Sequence, residues 1–168
     1  MRLKEMILTA DLLREVVYYD PATGVFTWRN RRRQMPAGSL AGTPNPDGYW
    51  YIKIDGKRYP AHRLAWLYVY GEWPSGFLDH KDCNKENSCI ENLRLASKSQ
   101  NGANRRQCSH NTSGYKGVSW HRQNNKWSAG TRVNGIRHHL GYFDTPEAAH
   151  AAYVDAAKRL HGEFARAE

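Results

Sequence analysis

The segment Asp79–Asn101 reads DHKDCNKENSCIENLRLASKSQN, and both the fold and the chemistry of the chain hinge on it. An apolar lead-in, Phe77-Leu78, delivers Asp79 and His80 side by side in the manner of a short buried strand. Neighbouring strand residues face opposite ways, so one of the two can bind a metal ion while the other addresses a water. Lys81 to Glu91 is a polar loop in which Asp82, Asn84 and Asn87 suit tight turns, and structure resumes at Ile90-Glu91-Asn92-Leu93. Leu93 and Leu95-Ala96 then suit a short strand, followed by a helix start with Ser97 or Ser99 as the N-cap. Asn101 lies on that helix.

The frame DHxDxNxxNxxxxNLRxAxxxQN resembles the HNH nucleases, in particular the phage and intron-encoded branch whose last motif position is Asn. The resemblance implies a two-stranded ribbon and a helix clasping one divalent ion, with Asp79 and Asn101 as metal ligands. It also implies His80 as general base and Asn92 as the residue bracing the loop that aims the histidine. The chemistry explains these residue types. Phosphodiester hydrolysis needs a water deprotonated near neutral pH, which an imidazole can do without special tuning. It also needs stabilisation of the charge growing on phosphate and leaving oxygen, which a hard cation supplies. One carboxylate and one amide oxygen suit Mg²⁺ or Mn²⁺ completed by a DNA phosphate better than zinc.

A formal net charge of +9 over 168 residues points to a polyanionic partner, double-stranded DNA. No apolar run approaches the roughly 18 residues of a membrane span, and the N-terminus leads into no signal-peptide core. The expected location is therefore the cytoplasm of a bacterial or phage-infected cell. Cys83, Cys89 and Cys108 form no CxxC pair and read as free thiols in a reducing compartment, with zinc binding as the alternative.

Upstream, Leu8, Leu12, Leu13, Val16 and Val17 have helical spacing, so a helix is expected over residues 7–19 with Thr9 as its cap. Asp20-Pro21 and Gly24 punctuate a turn into a strand, Val25–Trp28, and YDPxTGxFxW again resembles the N-terminal part of the same nuclease group. Arg31, Arg32 and Arg33 follow as candidate phosphate contacts or as a solvated loop. Residues 35–48, rich in proline and glycine, read as an unstructured connector. Tyr49–Ile54 and Lys57–Tyr59 form a hairpin about the Asp55-Gly56 turn. His62 to Tyr70 is a helix closed by Gly71; its HRLAW phrase is typical of the group. His62 either lines the DNA side or bonds the backbone at a helix start, and it is left out of the catalytic set.

Downstream, nine Lys or Arg and no Asp or Glu lie between Asn92 and Phe143. Residues 107–114 read as a linker preceded by Arg105 and Arg106, with Asn104 a lesser contact candidate. Strands are expected over Lys116–Trp120, Lys126–Val133 and Ile136–Phe143, the last two joined by an Asn134-Gly135 hairpin. Period two puts Trp127, Ala129, Thr131 and Val133 on one packed face and Lys126, Ser128, Gly130 and Arg132 on a wet, basic one. Thr145-Pro146-Glu147 opens a closing helix with Ala149, Ala152, Tyr153, Ala156 and Leu160 as its inner stripe.

The whole unit, YKGVSWxxxxxKWxAxxRVNGxRxxLGYFDTPEAAxAAYxxAA, resembles the AP2 DNA-binding domain. That resemblance implies a sheet entering the major groove, where arginine can pair with guanine edges. The matching positions are Lys116, Ser119, His121, Gly130, Arg132, Arg137 and His139, with Trp120 and Arg122 as extra candidates. Ser119, His121 and Gly130 depart from the plant members of the family, so their target sequence does not carry over.

The resulting expectation is an α+β chain, a ββα-metal HNH nuclease domain followed by a three-stranded antiparallel sheet packed on one helix. Its segments are 1–46, an N-terminal helix, strand and basic loop; 47–106, the nuclease; 107–114, the linker; and 115–168, the AP2-like domain. The expected function is a metal-dependent DNA endonuclease or nickase. The alternative is a DNA-binding regulator with an inactive nuclease fold. The residues leave the oligomeric state open.

Overall fold

In the computed structural model, residues 8–32, 34–108 and 110–166 are described. They fall into two compact units, Met1–Leu95 and Ala96–Glu168.

In the first unit, the Thr9 hydroxyl accepts from Leu12 N–H at 3.3 Å and starts α1, Ala10–Val16. The helix stops three residues short of the expected Tyr19. Val17–Tyr19 instead forms β1, paired antiparallel with β2, Phe26–Trp28. Val17 and Tyr19 are both fully enclosed, so burying a β-branched and an aromatic residue in a ribbon wins over the helical period.

The connector is also more ordered than its composition suggests. Thr43–Pro44 is a short β3 against β4, Trp50–Ile54. β4 pairs in turn with β5, Lys57–Pro60, across the expected turn, in which Asp55 and Gly56 both have positive φ. α2, Ala61–Tyr70, closes on Gly71 in the left-handed conformation, whose N–H returns to Leu67 O. Leu13, Phe26, Ile52, Ile54, Leu64 and Leu67 form the core between these elements. β6, Phe77–His80, and β7, Leu93–Ala96, make a separate two-stranded sheet.

The second unit opens with α3, Lys98–Asn104, held by a reciprocal capping box. The Ser97 hydroxyl accepts from Gln100 N–H, and the Gln100 side chain accepts from Ser97 N–H. Asn104 is buried and so serves this unit's interior rather than an open surface. A three-stranded antiparallel sheet follows, formed by β8 (Val118–His121), β9 (Lys126–Val133) and β10 (Ile136–Phe143) with β9 central.

α4, Pro146–His161, is capped by Thr145 and lies on the sheet through Ala149, Tyr153, Ala156 and Ala157. Leu160, expected on its inner stripe, is 42% exposed, and His161 is buried in its place. The imidazole lies 3.2 Å from the Thr131 hydroxyl. β8 begins two residues later than expected, because the chain turns at Gly117 (φ +75°) to pass Tyr153.

A Cβ on Gly117 would sit 2.1 Å from the Tyr153 ring. Gly117→Ala is expected to destabilise the second unit by roughly 2–4 kcal/mol, combining positive-φ strain with overpacking. Urea unfolding of the two proteins tests this, and an unshifted midpoint would show that the Tyr153 ring can step aside.

Candidate functional site

β6 carries Asp79 and His80 out of the sheet at its buried end, where they are 4% and 6% exposed. β7, its partner, carries Arg94. The guanidinium grips Asp79 from the side, Nε and Nη2 each 2.9 Å from Oδ2. Both side chains are nearly enclosed, so this is a buried, charge-assisted pair. Residue order alone shows Arg94 only as one more basic side chain.

The loop after His80 is folded by its own amides. Cys83 N–H returns to His80 O at 2.9 Å. The Asn92 side chain accepts from Asp82 N–H at 3.1 Å and donates to Asp82 Oδ1 and Asn87 O, each at 3.0 Å. Lys81 N–H donates to Asn92 O. Asn92 therefore closes the ring of backbone that leaves from His80. Partial burial pulls the Asp82 carboxyl upward, but hydrogen bonds from Asn87, Asn84 N–H and Asn92 hold it below its ordinary range.

The outer side of the loop is fastened to the N-terminal ribbon. Tyr19 donates its hydroxyl hydrogen to Ser88 O at 2.8 Å in the interior, and Ile90 N–H and the Cys89 thiol both reach Pro21 O. The YDPxTG turn thus supports the site, a role hidden by a sequence separation of 69 residues in the Tyr19–Ser88 bond.

The His80 ring stacks among aromatics, edge-on to His62 at 5.0 Å and 5.9 Å from Tyr49. His80 is enclosed by these neighbours, 6% exposed. Burial drives its pKa below the ordinary value, against the upward pull of Asp82 and Asp79, which favours the neutral imidazole. His62 is depressed further, to about 3, by burial, by His80 and by Arg63. Its Nδ1 is buried and finds no hydrogen-bond partner among the described residues, contrary to a backbone bond through that atom. Lys85 lies over Tyr49 with Nζ 4.8 Å from the ring centroid.

Asn101, the remaining expected metal ligand, lies on α3 in the second unit. Among the described residues, no group of three or more His, Cys, Asp or Glu could hold a metal ion. The donor set offered by the sequence is one carboxylate and one amide oxygen, both hard ligands. It fits Mg²⁺ or Mn²⁺ with its remaining positions filled from elsewhere.

The second unit's sheet presents the other candidates. Its wet face carries Ser119, His121, Lys126, Gly130, Arg132, Arg137, His139 and Tyr142. Arg132 and Arg137 are exposed cross-strand partners, and His139 pairs with Gly130. The Tyr142 ring, absent from the expected set, bridges the two imidazoles at 4.9 Å from His121 and 4.6 Å from His139. Trp120 is 44% exposed and meets Trp127 edge-on; Arg122 is exposed.

Lys116 differs from the expected contact. It lies outside the strands, and its ammonium donates to Ala103 O, Arg105 O and Arg166 O at 2.7–2.9 Å. It therefore ties α3 to the chain's end. Arg105 and Arg106 are exposed. In the first unit Arg31 is exposed, whereas Arg32 stacks on Trp28 at 4.4 Å and reaches Lys53 O and Asp55. Arg33 lies outside the described residues.

Comparisons with known proteins cover both units. A family described as HNH endonuclease matches residues 59–103, and the AP2 domain family matches residues 113–163. Protein 3.8 of Escherichia phage T7 is 36% identical over 107 residues, spanning 62% of this chain and 87% of that protein. An uncharacterized HNH endonuclease, L560 of Acanthamoeba polyphaga mimivirus, is 35% identical over 127 residues. That match spans 69% of this chain and 64% of the mimivirus protein. A solved structure, described as DNA binding and cleavage by the HNH homing endonuclease I-HmuI, aligns with a TM-score of 0.42 and 21% identity. It covers 87% of this chain and 85% of that one.

Proposed function

We propose that this chain, whose residues 59–103 match the HNH endonuclease family and whose residues 113–163 match the AP2 domain family, hydrolyses phosphodiester bonds in double-stranded DNA with a divalent ion. The observation that supports this most is the placement of Asp79 and His80 together at the end of β6, each held by neighbours suited to its role. His80 is the general base, kept neutral by burial so that it can accept a proton from the attacking water. Asn92 fixes the loop that leaves His80. Asp79 and Asn101 are the residues that would hold Mg²⁺ or Mn²⁺. The bound ion supplies electrostatic stabilisation of charge on the phosphate and the departing oxygen.

The His80 ring is 6% exposed, so water has to be admitted to it when DNA binds. The same enclosure favours a second reading, a DNA-binding regulator whose nuclease fold is inactive. Incubating supercoiled plasmid with the protein and Mg²⁺ or Mn²⁺ separates the two. Nicking or linearisation abolished by EDTA supports the enzyme, and retarded but intact plasmid supports the regulator. No helix among the described residues is long and apolar enough to cross a membrane, and we place the reaction in the cytoplasm, where the DNA is.

The wet face of β8–β10 is the docking surface in this reading, with Arg132 and Arg137 paired near the tip of its β9–β10 hairpin. Replacing both by alanine is expected to weaken duplex binding by roughly 10- to 100-fold and to lower the slope of log affinity against log salt by about one per lost phosphate contact. Gel shifts over a salt series measure both. An unchanged affinity would remove this face from the interface.

A further inference from the structure

We propose that Arg94 is a positioning residue that serves as the standing counter-ion of Asp79, so that loading of the divalent ion depends on bound DNA. The inference rests on the nuclease reading and concerns how its metal ligand is held. Two guanidinium nitrogens, Nε and Nη2, converge at 2.9 Å on one oxygen, Asp79 Oδ2. The partners are 12% and 5% exposed, so water screens the pair little. The two strands fix the contact, since Arg94 stands on β7 beside β6 in the same two-stranded sheet.

The charge balance gives the consequence. A divalent ion is drawn to a carboxylate by its negative charge, and here that charge is already met by an equal positive one within hydrogen-bonding distance. The other acid nearby, Asp82, has its oxygens engaged by Asn84, Asn92 and Asn87, and the loop's remaining charges, Lys81 and Lys85 against Glu86 and Glu91, are exposed and balance one another. Protein groups alone leave little net attraction for a dication. The phosphates of a docked duplex bring the missing negative charge together with hard oxygen ligands. Arg94 thereby does two things at once: it fixes the orientation of Asp79, and it discourages metal capture by a protein that has no DNA to cut.

Mn²⁺ binding, followed by the loss of the free-ion electron paramagnetic resonance signal, tests this in a His80→Ala background that leaves DNA uncut. Titrations are run without DNA and with a saturating duplex, after subtraction of the ions held by duplex alone. Arg94 intact should bind Mn²⁺ at least about tenfold more tightly with the duplex than without it. Arg94→Gln should raise the DNA-free affinity by about tenfold and shrink the gain from DNA. Arg94→Lys, which keeps the charge but loses the two-pronged grip, should stay near the parent without DNA.

If Arg94→Gln does not fold, the parent's ratio and the Arg94→Lys titration still decide. Equal Mn²⁺ affinity of the parent with and without duplex, or an Arg94→Gln titration identical to the parent, would overturn the proposal. The nuclease reading fails separately. In that case the unsubstituted protein leaves plasmid intact with Mn²⁺, whatever the Mn²⁺ titrations show.

Discussion

His80→Ala is expected to reduce DNA cleavage by roughly a hundred- to ten-thousand-fold, the range a positioned general base contributes, while duplex affinity stays near that of the unsubstituted protein. The binding face lies on the sheet of the second unit, whereas His80 lies at the end of β6 in the first. The acid limb of cleavage carries a second signature. A base works only when unprotonated, and burial sets the His80 pKa below the ordinary histidine value. Cleavage should therefore persist as pH falls through about 6.5 and fail only at lower pH. Single-turnover nicking of plasmid across pH, with gel shifts on the same preparations, reads both effects. Cleavage by His80→Ala at the unsubstituted rate would dismiss the imidazole from the chemistry. Affinity lost in proportion to cleavage would show that the substitution damages the protein as a whole.

Local chemistry made much of the fold legible from sequence. Thr9, Ser97 and Thr145 cap helices because a hydroxyl meets the N–H three residues on, and Asp55-Gly56 and Asn134-Gly135 turn strands because both positions of each take positive φ. Elements decided by distant partners were less visible. Val17–Tyr19 has helical spacing, yet β2 recruits it as a strand. Thr43–Pro44 becomes a strand only because β4 lies beside it.

The site divides along the same line. Asp79, His80 and Asn92 are marked by residue type and spacing, and their roles came from family resemblance. The Arg94 grip on Asp79, the Tyr19 bond to Ser88 and the packing of Tyr49 and His62 around His80 each join segments far apart in sequence, and none has a spacing signature. Lys116 shows the converse limit. Its charge suggested a surface contact, but its position beside the end of α3 gives the ammonium carbonyls to satisfy.

The partly buried His62 should make the first unit sensitive to acid in a window that can be stated in advance. Its pKa is near 6.5 in the unfolded chain and about 3 in the folded one. Between those values the unfolded chain binds a proton that the folded chain does not, so stability falls as pH drops from about 6.5 toward 3. The loss attributable to this residue by pH 4 is on the order of 3 kcal/mol.

The cause is local. Protonation would place a charge on a ring that is largely shielded from water, 5.0 Å from the His80 ring and next to Arg63. His62→Phe keeps an aromatic ring against Tyr49 and His80 but cannot take up a proton. Urea unfolding at pH 7 and pH 4 should therefore show a smaller acid loss in His62→Phe than in the parent, while the share contributed by His80, whose pKa is also depressed, remains in both. Because His62 lies outside the proposed chemistry, His62→Phe also separates acid unfolding from acid loss of the base. If the acid limb of cleavage moves with this substitution while His80 is intact, the limb reports unfolding and not the base. If the two proteins lose the same stability between pH 7 and pH 4, the His62 ring is reached by water and its burial is not what sets its charge.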